Sequence, residues 1–241
     1  MFRLTLKKVY LNQFLEMDKR TADIYAQMNP YKALVNKTSG FIQWALNKVK
    51  DPYLACSFGK DSGVMLHLVL QQLPNIPVIF ISRKETNLVD NYKEVIAEWG
   101  NLNIHEINFM GNTLDFVDKS VIKTAIEPIK QNFDSFFVGL RAEEAVGRRI
   151  TLRHHGNFYK MKDGLVRICP LAHWSTRDIA TYCLSNNLPT LNKYKIEGFD
   201  ARTTAGISSK TPHESLAYVK QNNISDYNKI LELLPEAKYF I

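Results

Sequence analysis

Tyr53-Leu54-Ala55-Cys56-Ser57-Phe58-Gly59-Lys60-Asp61-Ser62 runs from a short apolar segment straight into an amphipathic one, with a Gly-Lys-Asp-Ser turn between them. The pattern predicts a buried strand feeding a helix. The amides of residues 57–62 then stand at a helix N-terminus, where N–H groups without intrahelical acceptors and the helix dipole favour an anion. Gly59 suits a tight turn and close backbone approach, Lys60 supplies a mobile cation, and the Ser57 and Ser62 hydroxyls can donate to phosphate oxygens. A Walker P-loop requires Gly five residues before Gly59 and Ser or Thr directly after Lys60; Leu54 and Asp61 stand there, so that motif is excluded. The other reading of these residue types is a capped turn in which Asp61 and Ser62 only satisfy free amides. The strand before and the helix after favour phosphate.

Outward from this loop, short apolar runs alternate with amphipathic stretches, the signature of strand–helix–strand crossovers over a parallel sheet. Strands are predicted at Tyr53–Ser57, Pro77–Ile81, Asn103–Ile107 and Ser135–Gly139, buried by helices on both faces. The linking helices are predicted over Ser62–Leu73, Asp90–Trp99 and Thr113–Gln131. His155 to Cys169 reads as a hairpin, carrying Gly156-Asn157 and Asp163-Gly164 between β-prone pieces. A helix follows over Thr176–Ser185, with Ser175 as its cap and Asp178 close to completing a capping box. Ahead of the core, Leu11 to Val49 is helical by apolar spacing, with Pro30 separating two helices. Beyond Leu188 the chain reads as loop until Pro212, then as two short helices. The fold class is α/β, a doubly wound parallel sheet. An N-terminal helical segment (1–50) precedes a nucleotide-binding domain (51–210), and a C-terminal helical segment (211–241) completes the unit.

The chain has 241 residues, 45% of them hydrophobic, enough for one sizeable core. A formal charge of +7 suits a polyanionic ligand and equally an ordinary basic protein. Lys and Arg are scattered without a run of five, which weakens a nucleic-acid reading. Cys56, Cys169 and Cys183 form no Cys-x-x-Cys pair, arguing against a disulfide framework, a zinc ribbon or an iron–sulfur cluster. No segment has the uninterrupted apolar length to span a bilayer, and a cytoplasmic protein is expected. His154-His155 reads as a pair of helix-end partners rather than metal ligands, and His173 as structural.

Arg141 follows the strand ending at Gly139 on the same sheet edge as the loop. If residues 141–153 are helical, Arg148 falls on nearly the same face as Arg141 and the two guanidiniums can converge on one anion. Arg149 would reach the rim or pair with Glu144. The competing reading is a solvated helix whose Glu143, Glu144, Arg148 and Arg149 make local ion pairs.

The loop Ser57-Phe58-Gly59-Lys60-Asp61-Ser62 resembles that of the PP-loop, or adenine nucleotide α-hydrolase-like, superfamily. The branch it most resembles is the phosphoadenosine phosphosulfate reductase family. Further landmarks in order are Gly139-Leu140-Arg141, Arg148-Arg149, the stretch from Cys169-Pro170-Leu171 to Asp178-Ile179, and Asn187-Leu188-Pro189. The resemblance covers roughly residues 50 to 210. It implies a nucleotide across the carboxyl ends of the strands, with its terminal phosphates, or a sulfate equivalent, in the Ser57–Ser62 loop. Backbone near Ala55, Cys56 and Ser57 and at Ile81 would meet adenine, and Gly139, Arg141, Arg148 and Arg149 would line the phosphate side. Lys60, Asp61 and Arg141 are the implied catalytic set, with Asp61 reaching a Mg²⁺ ion.

Departures from the family pattern shape the functional expectation. The tail from Glu232 to Ile241 has no cysteine, where sulfonucleotide-reducing members carry a nucleophilic one. Ser82-Arg83-Lys84 stands where many relatives have Asp-Thr-Gly. Asp200 to Ile207 replaces a Gly-Cys element, with Arg202 either a further phosphate ligand or an exposed loop arginine. The expected activity is therefore an ATP pyrophosphatase or adenylyltransferase, using ATP to activate an acceptor that the sequence does not identify, alongside a possible protein partner. A sulfonucleotide reductase or sulfur-transfer enzyme drawing on an external thiol is the alternative. A non-catalytic nucleotide-binding or DNA-associated module is the third.

Overall fold

The structure, a computed structural model, describes residues 18–83, 91–109, 127, 129, 131–192, 194, 198–200, 220, 224–233 and 235–240. Helix α1 (Lys19–Ala26) opens it, capped by the Asp18 carboxylate, which accepts the Thr21 N–H at 2.7 Å. Helix α2 (Asn29–Leu46) carries Pro30 in its first turn, where a missing N–H has no intrahelical acceptor to lose. Pro30 thus starts the second helix, as its separating role predicts.

The six-stranded sheet has the order β3-β2-β1-β4-β6-β5. Its strands are β1 (Pro52–Ala55), β2 (Val78–Arg83), β3 (Ile104–Phe109), β4 (Ser135–Val138), β5 (Phe158–Lys160) and β6 (Val166–Ile168). All neighbours pair in parallel except the β5–β6 hairpin. The predicted hairpin and the four predicted strands are all present. The inner strands are apolar because both faces are covered: Leu54, Val78, Phe137 and Ile168 belong to one core, and Tyr53, Ile79 and Phe136 to another on the opposite face.

From β1 the chain moves outward through β2 to β3, then returns to place β4 on the other side of β1. The winding direction reverses between β1 and β4, and it is beyond the carboxyl ends of such a pair that open α/β sheets hold ligands. Helix α3 (Lys60–Leu70) leaves β1, and helix α4 (Tyr92–Glu98) precedes β3. The helix expected over Thr113–Gln131 lies outside the described residues except at 127, 129 and 131, as do Leu11, Phe14 and Leu15 of the N-terminal pattern.

The condition under which Arg141 and Arg148 would share a helix face is not met. Residues 141–153 are not continuous: Arg141 caps a 3₁₀ turn (Ala142–Glu144), extended Ala145 interrupts it, and α5 (Val146–His155) begins afresh. The Glu144 carboxylate accepts the Arg141 N–H at 3.2 Å, and the Ala142 N–H goes to the Ala172 carbonyl at 2.9 Å. These bonds satisfy the amides locally and end the turn. Helix α6 (Thr176–Ser185) appears where expected, and Ser175 and Asp178 complete its capping box. Helix α7 (Ile224–Leu233) and a 3₁₀ helix (Pro235–Phe240) follow.

Helices α1, α2, α3 and α6 pack together around one core. The Tyr25 hydroxyl of α1 donates to Asp178 Oδ1 of α6 at 3.2 Å, and Arg177 lies 3.9 Å from the Tyr25 ring centroid. His67 of α3 bonds the Tyr182 hydroxyl of α6 at 2.9 Å. Trp174, buried just ahead of α6, donates its indole N–H to Thr38 of α2 at 2.9 Å.

Candidate functional site

The turn between β1 and α3 takes its shape from Phe58, whose φ of +52° lies in the left-handed region. Its ring is 1% exposed and packs edge-on to Phe80 at 5.2 Å, so apolar burial holds a backbone conformation that most side chains disfavour. Gly59, expected to make the tight turn, has an ordinary φ of −74° and serves as the N-cap of α3. The strain therefore falls one residue earlier than the sequence reading places it.

Several loop groups are turned inward. The Cys56 N–H enters the sheet at Ile79 O (3.0 Å), and the Ser57 N–H donates to Ser62 Oγ (3.3 Å). The Phe58 N–H points to Cys56 Sγ at 3.4 Å. The Ser62 hydroxyl donates to Gly59 O at 3.1 Å and lies 3.1 Å from Ser57 Oγ. The Ser62 hydroxyl thus closes the turn on itself in this arrangement. The first intrahelical bond of α3 is Gly63 N–H to Gly59 O (2.8 Å), and the Lys60 N–H goes to the Tyr194 hydroxyl at 3.2 Å. Among the described residues, the Gly59, Asp61 and Ser62 amides are left as the loop donors without an acceptor.

Gly139 lies against this loop from the end of β4. A Cβ there would sit 3.0 Å from Asp61 C and Ser62 N, closer than side chains approach backbone. The missing side chain lets the end of β4 close on the first turn of α3 at the sheet's switch point.

Below the loop runs a chain of charges. Arg141 is 2% exposed, and its Nε donates to Asp61 Oδ1 at 2.6 Å. Its guanidinium also reaches Glu143 Oε2 (2.7 Å), the Trp174 carbonyl (3.2 Å) and Thr176 Oγ1 (3.4 Å). Glu143 in turn accepts the Thr176 N–H at 2.6 Å. Lys60, 5% exposed, places Nζ 3.0 Å from Asp61 Oδ2 and 5.4 Å from the Tyr194 ring centroid. Lys60 is therefore buried and paired with Asp61 in this arrangement, and Arg141 underpins the loop with its fork already engaged by protein groups. Each Asp61 oxygen is held by a cation, so the carboxylate as placed does not fit a magnesium ligand. Among the described residues no group of three His, Cys, Asp or Glu converges on a metal position.

Arg148 and Arg149 do not join Arg141. Both are exposed on α5, and Arg148 pairs with Glu144 one turn back, as the solvated-helix reading has it. Arg149 makes no pair with Glu144 of the kind expected; Arg148 takes that carboxylate. Ala55 and Ile81 stand half-buried near the carboxyl ends of β1 and β2, on the same sheet edge as the loop. Arg202 lies outside the described residues. Sequence reading gave Glu143 only a local helix ion pair, not its bond to Arg141, and missed Tyr194. Glu143 had a signal, an acid two residues from a strand-end arginine; Tyr194, 134 residues beyond Lys60, had none.

The three cysteines are buried. Burial pushes the Cys56 thiol up to about 11 and the Cys169 thiol up to about 12, and raises Cys183 as well. Their thiolate forms, the nucleophilic ones, are disfavoured. Among the described residues no helix is long and apolar enough to cross a membrane.

A strand–loop–helix turn at the reversal point of a doubly wound sheet is the arrangement of an adenine nucleotide α-hydrolase-like, PP-loop fold. In keeping with this, the fold is shared with Candida glabrata FMN adenylyltransferase in complex with ATP, at a TM-score of 0.50 and 18% identity over 68% of this chain and 61% of that one. The phosphoadenosine phosphosulfate reductase domain model matches residues 51–200, and the chain belongs to that family. The phosphoadenosine 5′-phosphosulfate reductase of Xanthomonas oryzae pv. oryzae is 29% identical over 173 residues, covering 61% of this chain and 68% of that protein. The Photobacterium profundum protein of the same description is 26% identical over 207 residues, 76% of each.

Proposed function

We propose that this site binds an adenylyl sulfate or its 3′-phosphate and supports its reduction by thiols from another molecule. The observation that carries the reading is the Ser57–Ser62 loop set at the β1/β4 switch, within the segment matched by the reductase family. The Gly59, Asp61 and Ser62 amides, with Lys60, suit the anionic end of the nucleotide. Lys60 Nζ turns from Asp61 toward that anion, while Arg141 stays behind as a positioning residue that fixes Asp61. The relatives bearing the reductase description favour the sulfonucleotide over ATP as substrate.

In the proposed reaction a thiolate attacks the sulfate sulfur. An S–S bond forms as the S–O bond to the α-phosphate breaks, and the nucleotide leaves with the bridging oxygen. A second thiolate attacks the first thiol's sulfur, releasing sulfite and leaving a disulfide. The two thiols supply the two electrons that take sulfur from the sulfate to the sulfite level. Cys56, Cys169 and Cys183 are buried with raised thiol pKa, so on this reading both thiols come from outside this site.

The test is sulfite release from each sulfonucleotide with excess dithiol. A Lys60→Ala variant should lose about 10²-fold in turnover if its ammonium stabilises charge on the leaving phosphate. No sulfite, or sulfite at the wild-type rate from Lys60→Ala, sinks the reading. Adenylyl transfer from ATP is the second reading, favoured by the want of an accessible thiol in the chain itself; it requires pyrophosphate release from ATP in the presence of the acceptor.

A further inference from the structure

We infer that Tyr194 gates the phosphate loop: its phenol oxygen holds the Lys60 N–H that a nucleotide's anionic end takes over on binding. The inference rests on the nucleotide reading of that loop and adds to it a residue that regulates access.

Tyr194 is 3% exposed although it lies beyond α6, in a stretch whose sequence reads as loop. Contacts among the described residues fix its place. Its N–H donates to the carbonyl of the fully buried Leu191 at 3.0 Å, and its ring stacks on Phe199 at 5.8 Å and 7°. This delivers the hydroxyl to the first residue of α3, where it accepts the Lys60 N–H at 3.2 Å. A helix's opening amides lack intrahelical acceptors and are where an oxyanion is best held. A neutral phenol oxygen now occupies one of them.

Chemistry makes the phenol a displaceable occupant. At 3.2 Å the bond is at the long end for N–H···O, and the acceptor is uncharged. A phosphate or sulfate oxygen at the same donor makes a charge-assisted bond, shorter and roughly twice as strong. The Tyr194 ring also lies 5.4 Å from Lys60 Nζ, so the side chain covers the ammonium as well as the amide of one residue. In the closed arrangement Lys60 therefore pairs with Asp61, and its N–H with Tyr194. An incoming anion competes for both groups.

A purely structural cap and a gate make opposite predictions. If the hydroxyl only caps α3, Tyr194→Phe leaves an amide without a partner and weakens the fold, with no gain in affinity. If it gates the loop, Tyr194→Phe removes the acceptor that the ligand must displace, and binding tightens. A net hydrogen bond of ordinary strength corresponds to an affinity gain of about threefold to tenfold.

The experiment is calorimetric titration of the full chain with inorganic pyrophosphate and with adenylyl sulfate, for wild type, Tyr194→Phe and Lys60→Ala. Hydrogen exchange at the Lys60 amide is followed in the first two. Tighter binding by Tyr194→Phe, with faster Lys60 exchange that either ligand slows again, is expected. Wild-type binding that Tyr194→Phe leaves equal or weaker overturns the gate and leaves the nucleotide reading standing. Exchange at Lys60 unchanged by Tyr194→Phe overturns the gate by a measurement that needs no ligand. Failure of wild type and Tyr194→Phe to bind either ligand overturns both.

Discussion

Arg141 and Arg148 follow the same strand, yet the two regions they occupy have little else in common. At the β1/β4 switch, buried Lys60 and Arg141 interlock through the largely covered Asp61, and exposed Glu143 carries the chain on to the first amide of α6. On α5, Arg148 makes one pair with Glu144 and faces solvent beside Arg149. Removing one member of a buried pair strands its partner in a medium that solvates it poorly, whereas an exposed partner is simply rehydrated. Burial, more than residue type, sets what each arginine is worth.

The largest predicted effect is at Arg141. Arg141→Met should destabilise the protein by about 3–5 kcal/mol, since Asp61 loses its closer cation and the Trp174 carbonyl a donor. Arg141→Lys should rescue little of it, because one ammonium cannot span Asp61, Glu143, Trp174 and Thr176 together. Denaturant titration measures both, and a loss within about 1 kcal/mol for Arg141→Met would place this arginine in the same energetic class as an exposed pair.

Two glycines sharpen the contrast at the next level. A Cβ at Gly139 meets backbone atoms of Asp61 and Ser62 at 3.0 Å, and backbone cannot rotate away as a side chain can. Gly139→Ala should cost about 1–3 kcal/mol through this overpacking and weaken pyrophosphate binding by pushing the loop out of shape. Gly147 on α5 has nothing within 4 Å of the same added atom. Gly147→Ala should be neutral or stabilise by up to about 1 kcal/mol, as expected for alanine in an open helix. Equal thermal shifts for the two variants would mean that the close approach at Gly139 carries no weight.

The same contrast explains how much was legible in the sequence. Strands, hairpin and the α6 cap are local features, written in apolar alternation, Gly-Asn and Asp-Gly turns and the Ser175/Asp178 spacing, and each is found where expected. The loop's place at a strand-to-helix junction is equally local. What the sequence left open was which groups face each other across it. Arg141 and Asp61 are 80 residues apart, and Lys60 and Tyr194 are 134 apart; no period or motif encodes such pairings. A continuous helix over 141–153, which the spacing left as a condition, fails for a local reason: Glu144 turns back to accept the Arg141 N–H, and extended Ala145 breaks the run.

The smallest effect tests that failure directly. A continuous helix from Arg141 would let Arg148 share an anion with it, and Arg148→Ala would then damage nucleotide affinity as a loop residue does. In the observed arrangement Arg148 reaches Glu144 one turn back on an exposed surface, and its fork is directed to that carboxylate. Such pairs contribute about 0.2–0.5 kcal/mol and less as salt screens them. Arg148→Ala should therefore leave pyrophosphate affinity unchanged and shift stability by no more than that at low salt, with the difference fading as sodium chloride is added. A tenfold loss of affinity in a variant of normal stability would return Arg148 to the nucleotide site and would require α5 to move when the ligand binds.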